Sequence, residues 1–181
     1  EVSSEELGGA KVHMTKSGVA HFSYDDDEGC IDGIRRLLSY LPQNCDEKPY
    51  DSVSGKSMDL CRGLSEVVSE DTRLVYDVHA VIGSFTDRHS FMEVQPEFAK
   101  NIVVGFAKIE GKVIGIVANQ PNYLAGALDV DASDKSARFV RFCDCFNIPI
   151  ISLVDVPAFL PGKQQEYNGV IRHGAKLLYA F

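Results

Sequence analysis

Two long apolar runs, NIVVGFAKI at 101–109 and KVIGIVANQ at 112–120, flank the pair Glu110-Gly111. Their length and β-branched content predict two strands, and a two-residue link ending in Gly predicts a tight hairpin between them. Ser90-Phe91-Met92-Glu93-Val94 reads as a short strand upstream, and 150–156 (IISLVDV) as another, just after Pro149. Elsewhere the apolar residues return every three or four positions, which is the helical period. Val78, Val81, Ile82 and Phe85 predict a helix over 76–85. Ala137, Phe139, Val140, Phe142 and Cys143 predict one running to Phe146, with Asp131, Ser133 and Asp134 available as N-caps. A helical pattern from Ser17 to Leu41 is interrupted by Asp25-Asp26-Asp27-Glu28, acids suited to cap its second piece. A short capped helix over 3–12, stopped by Gly8-Gly9, and a helix from about Gln165 complete the elements. Residues 42–73 are polar and aperiodic, the signature of a linker.

Hairpin, helix, strand, turn and helix in succession predict an α/β layer with a largely buried sheet. Charge narrows the partners. Twenty-six acids against 18 Lys and Arg give a net charge of −8, which argues against a general nucleic-acid binder. Such proteins need clustered bases to neutralise phosphates. The five cysteines are odd in number and lack a C-x-x-C pair, so they read as reduced thiols rather than a disulfide framework or a zinc site. No apolar run approaches the roughly 20 residues that span a bilayer.

Side-chain chemistry is sparse. The five histidines share no H-x-x-x-H spacing, and no G-x-S-x-G elbow occurs. Lys135, Arg138 and Arg141 recur at three-residue steps; a solvated or salt-bridged helix face explains them better than a phosphate site. The segment Pro157-Ala158-Phe159-Leu160-Pro161-Gly162 differs. It follows a strand end, where loops converge on ligands in α/β sheets. Its side chains include no base, nucleophile or metal ligand, yet two prolines and a glycine fix its backbone. Fixed N–H groups aimed at one point stabilise developing negative charge without a titratable group. A rigid turn with no further role is the competing reading.

Several stretches together resemble one family: E5-E-L-G-G-A, S17-G-V-A-H, A99-K-N-I-V-V-G-F-A, G115-I-V-A-N-Q-P, A137-R-F-V-R-F-C-D, V154-D-V-P-A-F-L-P-G and Q165-E-Y-N-G-V-I-R-H-G-A-K-L-L-Y-A. The family is the carboxyltransferase (β) subunit of biotin-dependent acyl-CoA carboxylases, in its propionyl-CoA carboxylase variety. The resemblance covers nearly the whole chain and is weakest at 42–73. It implies an incomplete crotonase-like ββα superhelix of α/β class. Residues 1–65 would be the tail of the N-terminal half, 66–98 a linker and connecting helix, and 99–181 the start of the C-terminal half. It implies carboxyl transfer from carboxybiotin to the α-carbon of a short-chain acyl-CoA, propionyl-CoA favoured, through an enolate held by backbone oxyanion holes.

In that scheme biotin arrives on a partner carrier domain, acyl-CoA is the substrate, and this chain binds no metal. The partners implied are a biotin carboxylase and biotin carrier subunit and further β subunits, in a hexamer. The compartment implied is the bacterial cytoplasm or the mitochondrial matrix. The backbone amides of Phe159 and Ala158 would be oxyanion donors; Pro157, Leu160, Pro161, Gly162 and Glu166 would shape the biotin-side pocket. A helix starting near Glu166 would turn its positive end towards the site.

Two departures stand out. The family has Gly where this chain has Ala158, which costs about 1 kcal/mol or more if φ is positive there. The strand-ending Gly-Gly-Ala turn that completes each oxyanion hole in the family is absent, Gly8-Gly9-Ala10 being a different motif, so the stretch is expected to be inactive alone. The alternatives are the carboxyltransferase subunit of a sodium-pumping methylmalonyl-CoA decarboxylase and a truncated, non-catalytic assembly module.

Overall fold

A computed structural model describes residues 1–49, 67–68, 71 and 74–181. Most of the expected linker at 42–73, and Cys61 with it, lies outside the described residues. The elements are α1 (Ser4–Gly8), α2 (Ala10–Thr15), α3 (Asp27–Leu38), α4 (Val78–Phe85), β1 (Met92–Val94), β2 (Ile102–Ile109), β3 (Lys112–Asn119), α5 (Val130–Cys145), β4 (Ile150–Leu153), α6 (Lys163–Tyr167) and α7 (Val170–Ala180). A 3₁₀ turn, Leu124–Gly126, precedes α5.

The hairpin forms as predicted. β2 and β3 pair antiparallel from Ile102↔Asn119 to Ile109↔Lys112, and both turn residues, Glu110 and Gly111, have positive φ. The Asp87 carboxylate accepts from both turn amides, at 2.9 and 2.8 Å. The sheet order is β1-β2-β3-β4, with β4 parallel to β3. A parallel neighbour needs a crossover, and α5 supplies it.

Alternate residues of the hairpin enter two cores. Val104, Phe106 and Val117 pack with Phe139, Val140 and Cys143 of α5 and with Tyr40. Val103, Ala107, Ile114 and Ile116 pack with Val78 and Ile82 of α4. With both faces covered, the strands read as unbroken apolar runs rather than as alternation.

Several boundaries differ from the sequence expectation. The segment before Asp26 is not helical: Gly18 is left-handed, and the carbonyl of His21 accepts from the amide of Gln95 at 3.1 Å. Pairing with the chain after β1 has replaced pairing within a helix, while Phe22 still packs against the core. α1 and α2 are separate helices meeting at Gly9, so the glycines mark a break rather than a stop. The N-cap of α5 is Asp129, not the later candidates, and its carboxylate accepts from Ala132 N at 2.8 Å. β4 ends at Leu153, short of Val156. The last helix is two pieces, parted at Gly169, whose φ is 78°.

Lys135 is the largest departure. Instead of facing solvent it is 2% exposed, and its Nζ donates to the carbonyls of Phe98 (2.7 Å) and Ile102 (2.8 Å). Burial pulls its pKa down to about 8. Arg138 and Arg141 are exposed, as expected. Cys30, Cys45, Cys143 and Cys145 are free thiols.

Candidate functional site

The carboxyl ends of β3 and β4 lie side by side, Ala118 opposite Leu153. From there the chain enters 154–162, where three sets of hydrogen bonds hold it. First, Asn119 Oδ1 accepts from Asp155 N at 3.2 Å. Second, the Tyr76 hydroxyl donates to Asp155 Oδ2 at 2.8 Å; burial and that contact push the Tyr76 pKa up to about 12. Third, Leu128 N donates to Ala158 O (3.1 Å) while Leu160 N donates to Leu128 O (2.8 Å). The third set makes a one-residue parallel bridge between Leu128 and Phe159.

That bridge decides where the Phe159 amide points. In a parallel bridge the partner bonds to the residues on either side, so the bridged residue's own N–H faces the other way. Among the described residues, neither the Phe159 nor the Ala158 amide has a hydrogen-bond partner. Ala158 is outside the set of residues with positive φ, so the alanine carries no left-handed strain.

Leu128 is in turn placed by a strained turn. Leu124, Ala125 and Gly126 all have positive φ, and a left-handed conformation costs an ordinary residue roughly 1–2 kcal/mol. Two buried asparagines brace this turn. Asn119 Nδ2 donates to Gly126 O at 2.9 Å, and Asn101 Nδ2 donates to Ala127 O at 2.7 Å. Gly126 also has to be glycine for space, since a Cβ there would lie 2.6 Å from Asp155 O. Asn119 thus holds both the loop and the turn that the loop bridges to.

On its other side the loop meets α7. The Phe159 ring lies against Gly174, where an added Cβ would come within 2.7 Å of it. A cavity of about 320 Å³ opens here, lined by Phe159, Leu160, Pro161, Glu166, Val170 and Gly174 among others. The expected site residues therefore divide. Phe159, Leu160, Pro161 and Glu166 share one cavity wall, whereas Pro157 and Ala158 lie outside its lining and Gly162 (φ 145°) starts α6. Glu166 is inside that five-residue helix rather than at its start.

Sequence reasoning missed the supports: Tyr76, Asn101, Asn119, Leu128 and Gly174. The asparagines did carry a signal, since a polar residue beginning one apolar strand and another ending its partner invite loop contacts.

A separate cluster fixes the start of α4. His79 sits between Asp77 Oδ1 (2.6 Å) and Glu93 Oε2 (2.8 Å), and Gln120 Nε2 donates to Asp77 at 2.7 Å. The hydrogen bond to Glu93, opposed by burial and assisted by Asp77, raises the His79 pKa to about 9. Among the described residues no group of three or more His, Cys, Asp or Glu is arranged to hold a metal. None of the described helices is long and apolar enough to cross a membrane.

This architecture has close counterparts. The 12S component of transcarboxylase, solved with methylmalonyl-coenzyme A and methylmalonic acid bound, superimposes with a TM-score of 0.96 at 48% identity. The match covers 99% of this chain and 35% of that one. The fold is thus that of the crotonase-like carboxyltransferases, and the expected fold class holds. The chain belongs to the carboxyl transferase domain family, whose model matches residues 1–181. The carboxyltransferase subunit of propionyl-CoA carboxylase from Haloferax mediterranei is 55% identical over 100% of this chain and 35% of its own length. The α subunit of methylmalonyl-CoA decarboxylase from Veillonella parvula is 47% identical over 100% of this chain and 36% of its own. The chain spans about a third of the length of such relatives.

Proposed function

We propose that this chain forms part of a biotin-dependent carboxyltransferase acting on a short-chain acyl-CoA, with propionyl-CoA the favoured substrate. The Phe159 amide carries the reading: it is unpaired among the described residues and turned away from Leu128. It serves as a backbone donor to the ureido oxygen of biotin, whereas Ala158, whose carbonyl accepts from Leu128 N, turns its polar groups to the opposite side. Preorganised N–H donors of this kind stabilise charge that develops during reaction, each typically contributing a factor of about 10²–10³.

The residues present suit a small uncharged bicyclic group. Phe159, Leu160, Pro161 and Val170 give the cavity apolar walls, and the unpaired Phe159 amide offers a polar contact. Carboxybiotin, when bound, would supply both the carboxyl group and the base for the α-proton of the acyl thioester. The loop itself supplies no acid or base; it binds, orients and neutralises. Pro157, Pro161 and Gly162 set its path, and Glu166 borders the cavity from α6.

The Haloferax relative supports the propionyl preference, while the decarboxylase relative supports the same site running in the other direction. On this reading residues 1–65 and 99–181 correspond to parts of two carboxyltransferase halves joined through 66–98. A biotin carboxylase and carrier subunit and further copies of the same subunit are the partners, in a bacterial cytoplasm or a mitochondrial matrix.

Deleting Ala158-Phe159 from the full-length subunit tests this. Transfer from carboxybiotin is expected to be lost while acyl-CoA still binds. Transfer at the normal rate refutes the donor role.

A further inference from the structure

We propose that Asp134 is a positioning residue for the Phe159 amide, acting through α7. The inference rests on the donor role given to Phe159 above. Asp134 lies in the second turn of α5 and reaches two residues of α7. His173 Nδ1 lies 2.7 Å from Asp134 Oδ2, and Lys176 Nζ donates to Oδ1 at 2.9 Å. Burial raises the pKa of the Asp134 carboxyl, but the contacts from Lys176 and His173 outweigh it and hold the group below the usual carboxylate range.

His173 and Lys176 bracket Gly174, the residue on which the Phe159 ring rests. One carboxylate therefore fixes the turn of α7 that supports the ring. The ring and the amide belong to the same residue, so moving that turn moves the donor. The amide's other restraint, the bridge to Leu128, comes from the segment that leads straight into α5. Gln165 of α6 adds a tie to the same helix end, accepting from Val130 N at 3.1 Å. The start of α5 and the residue that leads into it thus hold Phe159 from both sides: main chain through Leu128, ring through Asp134, α7 and Gly174. Orientation is what such a donor contributes, and a misplacement of about 1 Å can cost roughly 10²-fold in rate.

The test uses the full-length subunit assembled with its biotin carrier partner. Asp134→Ala is expected to lower kcat for carboxyl transfer about ten- to hundredfold, with the KM for acyl-CoA within about twofold of wild type. Asp134→Glu, which keeps a carboxylate in reach of both arms, is expected to recover kcat to within about threefold. Gly174→Ala leaves the clamp in place and displaces the ring, so it should show the same fall in kcat at constant KM. It also decides the matter if Asp134→Ala does not assemble.

Wild-type kcat in Asp134→Ala or in Gly174→Ala overturns the inference. So does a loss in Asp134→Ala that appears mainly as a higher KM for acyl-CoA, since that marks a general structural role. The Ala158-Phe159 deletion separates the two levels. If it abolishes transfer while Asp134→Ala is normal, the clamp fails and the donor reading stands; if it leaves transfer intact, both fail.

Discussion

Asn119→Ala removes the residue that serves two partners at once. Its side chain is 5% exposed, accepts from Asp155 N at 3.2 Å and donates to Gly126 O at 2.9 Å. Each such bond contributes about 1 kcal/mol net, and a buried partner left unpaired costs about 1–3 kcal/mol more. The substitution also unbraces a turn with left-handed Leu124 and Ala125. A local loss of about 2–4 kcal/mol follows, which corresponds to a roughly 30- to 1,000-fold shift in the opening equilibrium. Native-state hydrogen exchange reads this directly. The amides of Asp155 and Leu160 should exchange at least about 30-fold faster, while the β2–β3 hairpin amides keep their protection. An acceleration below about threefold at both amides would show that Asn119 does not hold the loop. Equal acceleration across the hairpin would show that it acts on global stability instead.

Two further outcomes follow from other parts of the chain. His79 has a pKa of about 9 in the fold against 6.5 for the free side chain, so its stabilisation is fully present below pH 6.5 and is lost as pH rises through 9. Because the side chain is 40% exposed, the effect is expected to reach only about 1 kcal/mol. The stability gap between wild type and His79→Gln should shrink from about pH 6 to about pH 10, and a gap that widens would contradict the assigned protonation. Ala158→Gly should leave transfer within about twofold of wild type, because the backbone there has no positive φ to relieve. A rise above about threefold in steady-state rate would mean that Ala158 does hold the donor out of place.

The elements that were legible in the sequence are those whose burial is two-sided or strongly periodic. The hairpin at 102–119 announced itself because apolar side chains face both α5 and α4, leaving no polar interruption. The helix of residues 130–145 was visible from its spacing, but its start was not: several acidic or hydroxyl residues compete there, and the choice of Asp129 depends on the turn at 124–126. Tertiary pairing overrode local pattern before Asp26, where the segment bonds to the chain beyond β1. Lys135 was unreadable for a different reason, since spacing cannot tell a solvated lysine from one that bonds to carbonyls of a remote loop. At the site, the backbone loop was visible as a run of residues without reactive groups. Its braces were not, because Tyr76 and Asn119 reach the loop from 79 and 36 positions away and Asn101 reaches its bridging turn from 26.

The bridge between Leu128 and Phe159 also bears on how damage to this protein would look in a mutational scan. A donor made of main chain has no side chain to delete, so single substitutions at Phe159 keep the N–H itself, proline excepted, and act only by releasing the ring that helps to aim it. Sensitivity should therefore spread to Asn119, Gly126 and Gly174, where the side chain, or its absence, holds that N–H in line. Those positions would score as structural in a survey of abundance or stability alone, although what they maintain is the direction of a single N–H bond.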